Sequence, residues 1–213
     1  MTRGDLIDIA LKILGADDEV ARGREWLDLA IREVEMASIT PPTEAMTPIL
    51  TDDIAGWEFL ETSTTYQTVD GTNSVTFATM SITDYSKGMR ISSANVPREL
   101  RYVKPTRFFE MRDTTADNPR YFTILEDTLE LFPEPDSGAV PLLTLRYFKK
   151  ATLPTADTDE LTTTIPIPVK YEGVLVWGVV AIGAEFLDDD RADKFRQRFV
   201  EKLNLMRADN ANR

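Results

Sequence analysis

The chain has 213 residues and contains neither cysteine nor histidine. That composition excludes disulfides, zinc-thiolate centres and every thiol- or imidazole-based catalytic site, leaving carboxylate-only catalysis and hard-metal binding by Asp and Glu. Lys and Arg number 24 against 36 Asp and Glu, and the net charge of −12 repels phosphate and argues against sequence-independent binding of DNA.

Residues 2–14 read as an amphipathic helix, with Leu6, Ile9, Ala10, Ile13 and Leu14 on one face. Thr2 is placed to cap it, and Gly15 follows as a stop. A second helix is expected from Asp17 or Asp18, with Val20, Leu27, Ile31 and Val34 on one face, widened by Trp26, Leu29 and Met36. Pro41-Pro42 ends this helical hairpin. Residues 43–56 are ambiguous between loop and helical turn.

From Trp57 onward, Thr, Tyr and Phe dominate, as β-strands favour. Residues 57–69 and 74–79 are expected to form a hairpin about Asp70-Gly71. Strands follow at 89–93 and 100–103, then a short helix at 107–112. Residues 121–125 and 129–132 pair across a turn, and 140–148 completes an antiparallel sandwich or small barrel.

Residues 151–164 read as a polar, acidic, Thr-rich linker. A helix from about Val169 to Phe186 is apolar nearly all round, so it is expected to be buried. The small residues Gly173, Gly178, Gly183 and Ala184 within it would let another backbone approach closely. The last helix, 191–207, has Phe195, Phe199, Leu203 and Met206 on one face. Asp5 and Asp8 interrupt the first apolar stretch, so no signal pattern is read, and the apolar run 173–184 falls short of a membrane span. The chain is expected to be soluble, without a membrane partner.

Among candidate sites, Asp188-Asp189-Asp190 lacks the alternating spacing that surrounds a cation with oxygens and reads as an acidic turn favouring the next helix. Asp52-Asp53 with Glu58 or Glu61 could supply a glycosidase-like carboxylate pair, although acidic pairs are common in a chain of this charge and no spacing in the sequence fixes their separation. Aromatic residues at Tyr121-Phe122, Phe132 and Tyr147-Phe148 interleave with Arg120, Arg146, Lys149 and Lys150. This is the pattern of a sheet core with a polar outer face, or of a stacking platform for single-stranded nucleic acid. From Leu187 onward, seven Lys and Arg oppose six Asp and Glu, and the cations crowd the last helix. They make either a solvated face or a docking strip for an acidic partner.

Two stretches carry a resemblance to a known family. One is the succession Pro119-Arg120-Tyr121-Phe122, Leu129-Glu130-Leu131-Phe132-Pro133-Glu134-Pro135 and Leu143-Thr144-Leu145-Arg146-Tyr147. The other is the closing helical pair, 171–186 and 194–206, ending in Arg207-Ala208-Asp209-Asn210. Together with the opening hairpin and the Trp57-Glu58-Phe59-Leu60 entry, this order resembles the head-to-tail adaptor (connector, gatekeeper) proteins of tailed bacteriophages. Residues between the second helix and Trp57 are longer than that family usually has.

The resemblance implies an α+β fold in which a four-helix bundle, residues 1–42 plus 165–213, carries an inserted antiparallel β-sandwich or small barrel, residues 43–164. It implies a non-enzymatic structural component of the virion neck, assembled in the host cytoplasm. The expected partners are the portal protein, tail or nozzle proteins, and further copies of itself in a dodecameric ring whose lumen passes DNA without reading its sequence. No cofactor or metal is expected. By resemblance the portal-contact residues are Arg198, Lys202, Leu203, Met206, Arg207, Asp209, Asn210 and Arg213. The first two helices would supply ring contacts. Residues alone leave two alternatives open, a carboxylate-dependent phage hydrolase and a β-sandwich module that binds carbohydrate or protein.

Overall fold

The first helix, α1 (Arg3–Leu14), starts at a reciprocal cap. The Thr2 hydroxyl accepts the Asp5 amide at 3.2 Å, and the Asp5 carboxylate accepts the Thr2 amide at 3.1 Å. These bonds from Thr2 hold the Asp5 carboxyl below its ordinary pKa. Gly15 closes the helix in the left-handed region, φ 75°, and its N–H reaches the Leu11 carbonyl at 2.8 Å. The computed structural model describes residues 1–37, 57–94, 99–111, 117–136, 141–165 and 167–211.

The buried face of α1 is Leu6, Ile7, Ala10, Leu11 and Leu14; Ile9 is 44% exposed and Ile13 only half-buried. The expected face is therefore rotated, and the cause lies on α2 (Val20–Ala37). A Cβ at Gly23 of α2 would stand 2.8 Å from the Ile7 methyl, so the missing side chain lets Ile7 and Leu11 settle against the second helix. On α2 itself Trp26, Leu27, Ile31 and Val34 are buried as expected, and Ala30 with them, whereas Val20 is half-buried and Leu29 and Met36 are exposed. The Pro41-Pro42 stop and the ambiguous stretch 43–56 lie outside the described residues.

Helix α5 (Glu172–Phe186) follows a 3-10 turn at Val169–Tyr171, and from Val174 to Ala184 only Trp177 is not fully buried. It packs against α1, against α2 and against α6 (Ala192–Ala211), which is why it has no polar face. Gly178 and Gly183 are contact points as expected, whereas a Cβ at Gly173, near the start of the helix, would meet nothing within 4 Å. A Cβ at Gly178 would meet the Ala30 Cβ at 2.8 Å, and one at Gly183 would meet the Trp26 ring at 2.7 Å. Phe195, Phe199, Leu203 and Met206 of α6 are all buried, again as their periodicity predicts.

The β segments make two sheets rich in antiparallel pairs. One has the order β1 (Glu61–Gln67), β7 (Leu142–Lys149), β3 (Tyr85–Ser93). The other runs β2 (Ser74–Thr76), β6 (Thr128–Phe132), β5 (Tyr121–Leu125), β4 (Arg101–Tyr102), with β4 parallel to β5. The β5–β6 hairpin turns at Glu126-Asp127 as expected. The hairpin expected about Asp70-Gly71 does not form: β1 pairs along its length with β7, and β2 pairs with β6 in the other sheet. Gly71 does turn the chain, at φ 69°, but the turn carries it from one sheet to the other. One hydrophobic core holds inward residues of both sheets, including Val75, Ile91, Phe122, Leu129, Leu131 and Leu145. The short helix α3 (Pro105–Glu110) begins two residues before its expected start because Pro105 suits the first helical position.

Residues 151–164 are no loose linker. The Arg3 and Gly4 amides donate to the Asp159 and Asp157 carbonyls, both at 2.9 Å, and the Leu161 amide donates to the Met1 carbonyl at 3.2 Å. The Arg3 guanidinium donates to the Thr155 carbonyl at 3.1 Å, and Arg24 Nε to the Asp157 carboxylate at 3.0 Å. The strap ends in the one-turn helix α4 (Leu161–Thr164), whose Leu161 is fully buried.

The chain divides into two compact units, one of Met1–Pro41, Trp57–Leu60 and Lys150–Arg213, the other containing Glu61–Lys149. The strap and the turn at Trp57 are hydrogen-bonded into the helical unit. Trp57 is buried, and its indole N–H donates to the Val34 carbonyl at 2.6 Å.

Candidate functional site

The cations of the last helix divide into two sets. Arg191, just before α6, donates to the Leu14 carbonyl at 3.1 Å; Arg196 pairs with Glu33 at 2.8 Å; Arg207 Nε donates to the Ala37 carbonyl at 2.7 Å. These three fasten α6 to the ends and flank of the first two helices. Lys194, Arg198 and Lys202 instead point outward, spaced i, i+4 and i+8 on one stripe, with Leu205 beside them at 64% exposure. The Arg198 guanidinium lies over the Trp177 ring, 4.9 Å from its centroid, which holds that side chain against the surface.

The residues expected to contact a portal thus occupy different environments. Arg198 and Lys202 are exposed, while Leu203 and Met206 belong to the core between α5 and α6. Arg207 is tied to α2. The Asp209 carboxylate accepts hydrogen bonds from Lys170 and from the Tyr171 hydroxyl. Asn210 Oδ1 accepts the Glu58 amide at 3.0 Å. These bonds secure the end of α6 to the turns on either side of it, a role that no spacing in the sequence signals. Arg213 lies outside the described residues.

The triple-Asp turn serves the helix that follows. Asp189 accepts the Arg191 amide at 2.8 Å and its guanidinium Nε at 3.0 Å. The Arg191 side-chain bonds, then its amide, hold the Asp189 carboxyl down to about 2. A folded-state pKa below the unfolded one gives stability that is present above the unfolded value and lost as pH falls through the folded one. Asp189→Asn is therefore expected to lower the urea midpoint at pH 7. Its deficit against the parent should shrink as pH falls from about 4 to 2, the window between the ordinary aspartate pKa and the depressed one. A deficit constant across that window in urea titrations would contradict the assignment. Among the described residues, no group of three or more His, Cys, Asp or Glu is disposed to hold a metal.

Of the other candidates, Asp52 and Asp53 lie outside the described residues. Phe122 and Tyr147 are in the sheet core; Tyr121, Phe132 and Phe148 are half-buried, with Tyr121 stacked on Phe132 at a centroid distance of 6.4 Å. The interleaved aromatics are core and flank of a sheet rather than an open stacking face. Burial, with Asp84 accepting its proton at 3.2 Å, pushes the Tyr147 hydroxyl up to about 12.

A family model described as "SU10 adaptor protein" matches residues 1–213, the whole chain. The chain belongs to the SU10 adaptor family. Membership agrees with the resemblance to phage head-to-tail adaptors and makes the chain a structural adaptor of the bacteriophage virion, in a family that is not one of enzymes. Membership of a phage adaptor family implies a component of the virion neck that acts with portal and tail components in general. No curated protein matches the chain. No helix among the described residues is long and apolar enough to cross a membrane.

Proposed function

We propose that this SU10 adaptor forms a ring of identical subunits, a dodecamer, beneath the portal, extends the DNA channel and presents the surface to which the tail attaches. In that reading α1, α2, α5 and α6 are the four-helix bundle of the adaptor, and the two sheets are its inserted sandwich. The observation that carries the portal contact is the division of cations on α6. Three arginines are committed to the fold, whereas Lys194, Arg198 and Lys202 stand in an outward row beside exposed Leu205.

Such a row suits an acidic groove on a partner: Arg198 and Lys202 make the contact, Leu203 and Met206 hold the helix straight beneath them, and Arg207, Asp209 and Asn210 fix its end. The −12 balance suits a lumen through which DNA slides without adhering. Assembly by repeated modest interfaces gives the ring its avidity for the portal.

The test is a paired charge reversal, Arg198→Glu with Lys202→Glu, in the full chain. Lys202 is exposed and Arg198 gives up only its contact with the Trp177 ring, so the variant should lose no more than about 1 kcal/mol of stability and stay folded. Affinity for the adaptor's own portal should fall by about tenfold or more. Undiminished binding of the folded variant would reject the assignment of this face.

A further inference from the structure

The two sheets have four outer strands, β1, β3, β2 and β4, and three of them are protected. β2 and β4 are three and two residues long, too short to template another strand. β3 is guarded along its length. Its register with β7 shifts at Tyr85, Lys87 and Met89, and the Leu100 amide donates to the Ile91 carbonyl at 2.8 Å. β1 has none of these devices. Its seven residues contain no Lys, Pro or Gly, and among the described strands it pairs only with β7, without a shift of register. The Thr68 amide donates to the Pro141 carbonyl at 3.2 Å, and bonds between antiparallel strands alternate, so Tyr66, Thr64 and Thr62 bond to β7. The amide and carbonyl groups of Ser63 and Thr65 therefore point away from β7, and both residues are exposed.

We propose that β1 is a docking edge to which a tail protein adds one extended strand, bonding to the backbone groups of Ser63 and Thr65. The inference rests on the adaptor reading above and names part of its tail-attachment surface. The core-side residues of β1, Thr62, Thr64 and Tyr66, are only half-buried, although Tyr66 packs against the sheet core. An added strand would cover them. It fits with apolar residues on that side, polar ones beside Ser63 and Thr65, and Lys or Arg opposite Glu61, the only charge on β1. A second copy of the chain meets these needs poorly. A ring of copies joined edge to edge requires a second, different open edge, and the described strands have none. Two β1 strands paired about a two-fold axis would close at two subunits and offer each other no apolar row.

The experiment uses the full chain seated on its own portal and mixed with purified tails of the same phage. Hydrogen exchange of the unaltered chain, read by mass spectrometry with and without tails, follows the β1 amides directly. Two variants are compared with it in binding to tails, and circular dichroism checks that each is folded. Ser63→Pro removes an outward amide and no bond to β7, whereas Ser63→Ala changes the side chain and keeps the amide.

The amides of Ser63 and Thr65 are expected to exchange freely without tails and about tenfold or more slowly with them, while those of Thr62 and Thr64 are protected in both states. Ser63→Pro should weaken tail binding by about tenfold or more, and Ser63→Ala should leave it within about twofold. Unchanged exchange at Ser63 and Thr65 in the tail complex overturns the inference while leaving the adaptor reading intact, and needs no variant to fold. So does equal loss from both substitutions, which would mark a side-chain contact. Protection of the same amides in the isolated chain, with dimers in sedimentation, would make a second copy the occupant and overturn it too. Failure of the unaltered chain on its portal to bind tails at all would instead reject the tail-attachment reading, and this edge with it.

Discussion

Trp57→Ala is expected to cost the helical unit about 3–5 kcal/mol of unfolding free energy, the range for removing a large aromatic from a core. Trp57 is 1% exposed, its indole N–H satisfies the Val34 carbonyl at 2.6 Å, and its ring stacks on Phe59 with centroids 5.8 Å apart. Truncation would remove the packing and leave a buried carbonyl near the end of α2 without its partner. Trp57→Phe separates the two effects. It keeps most of the volume and loses only the donor, so it should cost about 1–3 kcal/mol, the penalty of an orphaned buried acceptor. Urea unfolding followed by far-ultraviolet circular dichroism measures both. A loss below about 1 kcal/mol for the alanine variant would show that the 57–60 turn is not anchored to the helices as described.

Gly183→Val is expected to be nearly as damaging, by about 2–3 kcal/mol, through overpacking rather than through loss of contacts. A Cβ at this position would lie 2.7 and 2.8 Å from two carbons of the Trp26 ring and 2.8 Å from a Leu14 methyl. The leucine methyl can swing away. The ring cannot, because Trp26 is buried and stacked against Phe186. Gly173 on the same helix gives the opposite sign. Nothing lies within 4 Å of the place its Cβ would occupy, so Gly173→Ala should stabilise by up to about 1 kcal/mol through helix propensity alone. Equal effects of the two substitutions in thermal or urea unfolding would contradict the close approach of α5 to α1 and α2.

The helices were legible where a local signal existed. Thr2, Asp5 and Gly15 write both ends of α1 into fifteen residues, and the spacing of Phe195, Phe199, Leu203 and Met206 selects the inner face of α6. The face of α1 was not legible. Leu6, Ile7, Ile9, Ala10, Leu11, Ile13 and Leu14 offer two overlapping apolar stripes, and Gly23 on the next helix decides between them by admitting Ile7.

The β order failed for a related reason. Asp70-Gly71 is a correct turn signal, but the partner of β1 is β7, some 80 residues further on, and no local pattern announces it. The strap at 151–164 read as a linker because its bonds to the N-terminus are mostly backbone bonds, which composition cannot show. At the candidate site, the sequence located the cationic helix without separating Arg191, Arg196 and Arg207, which brace the fold, from Lys194, Arg198 and Lys202, which face outward. That separation depends on where α2 lies.

The central claim, a neck ring seated on the portal, is tested most directly by sedimentation and electron microscopy of the unaltered chain mixed with its own portal. The account predicts a discrete, stoichiometric ring that travels with the portal and encloses an open channel. A chain that sediments alone at every concentration and salt, beside a bare portal, would contradict it.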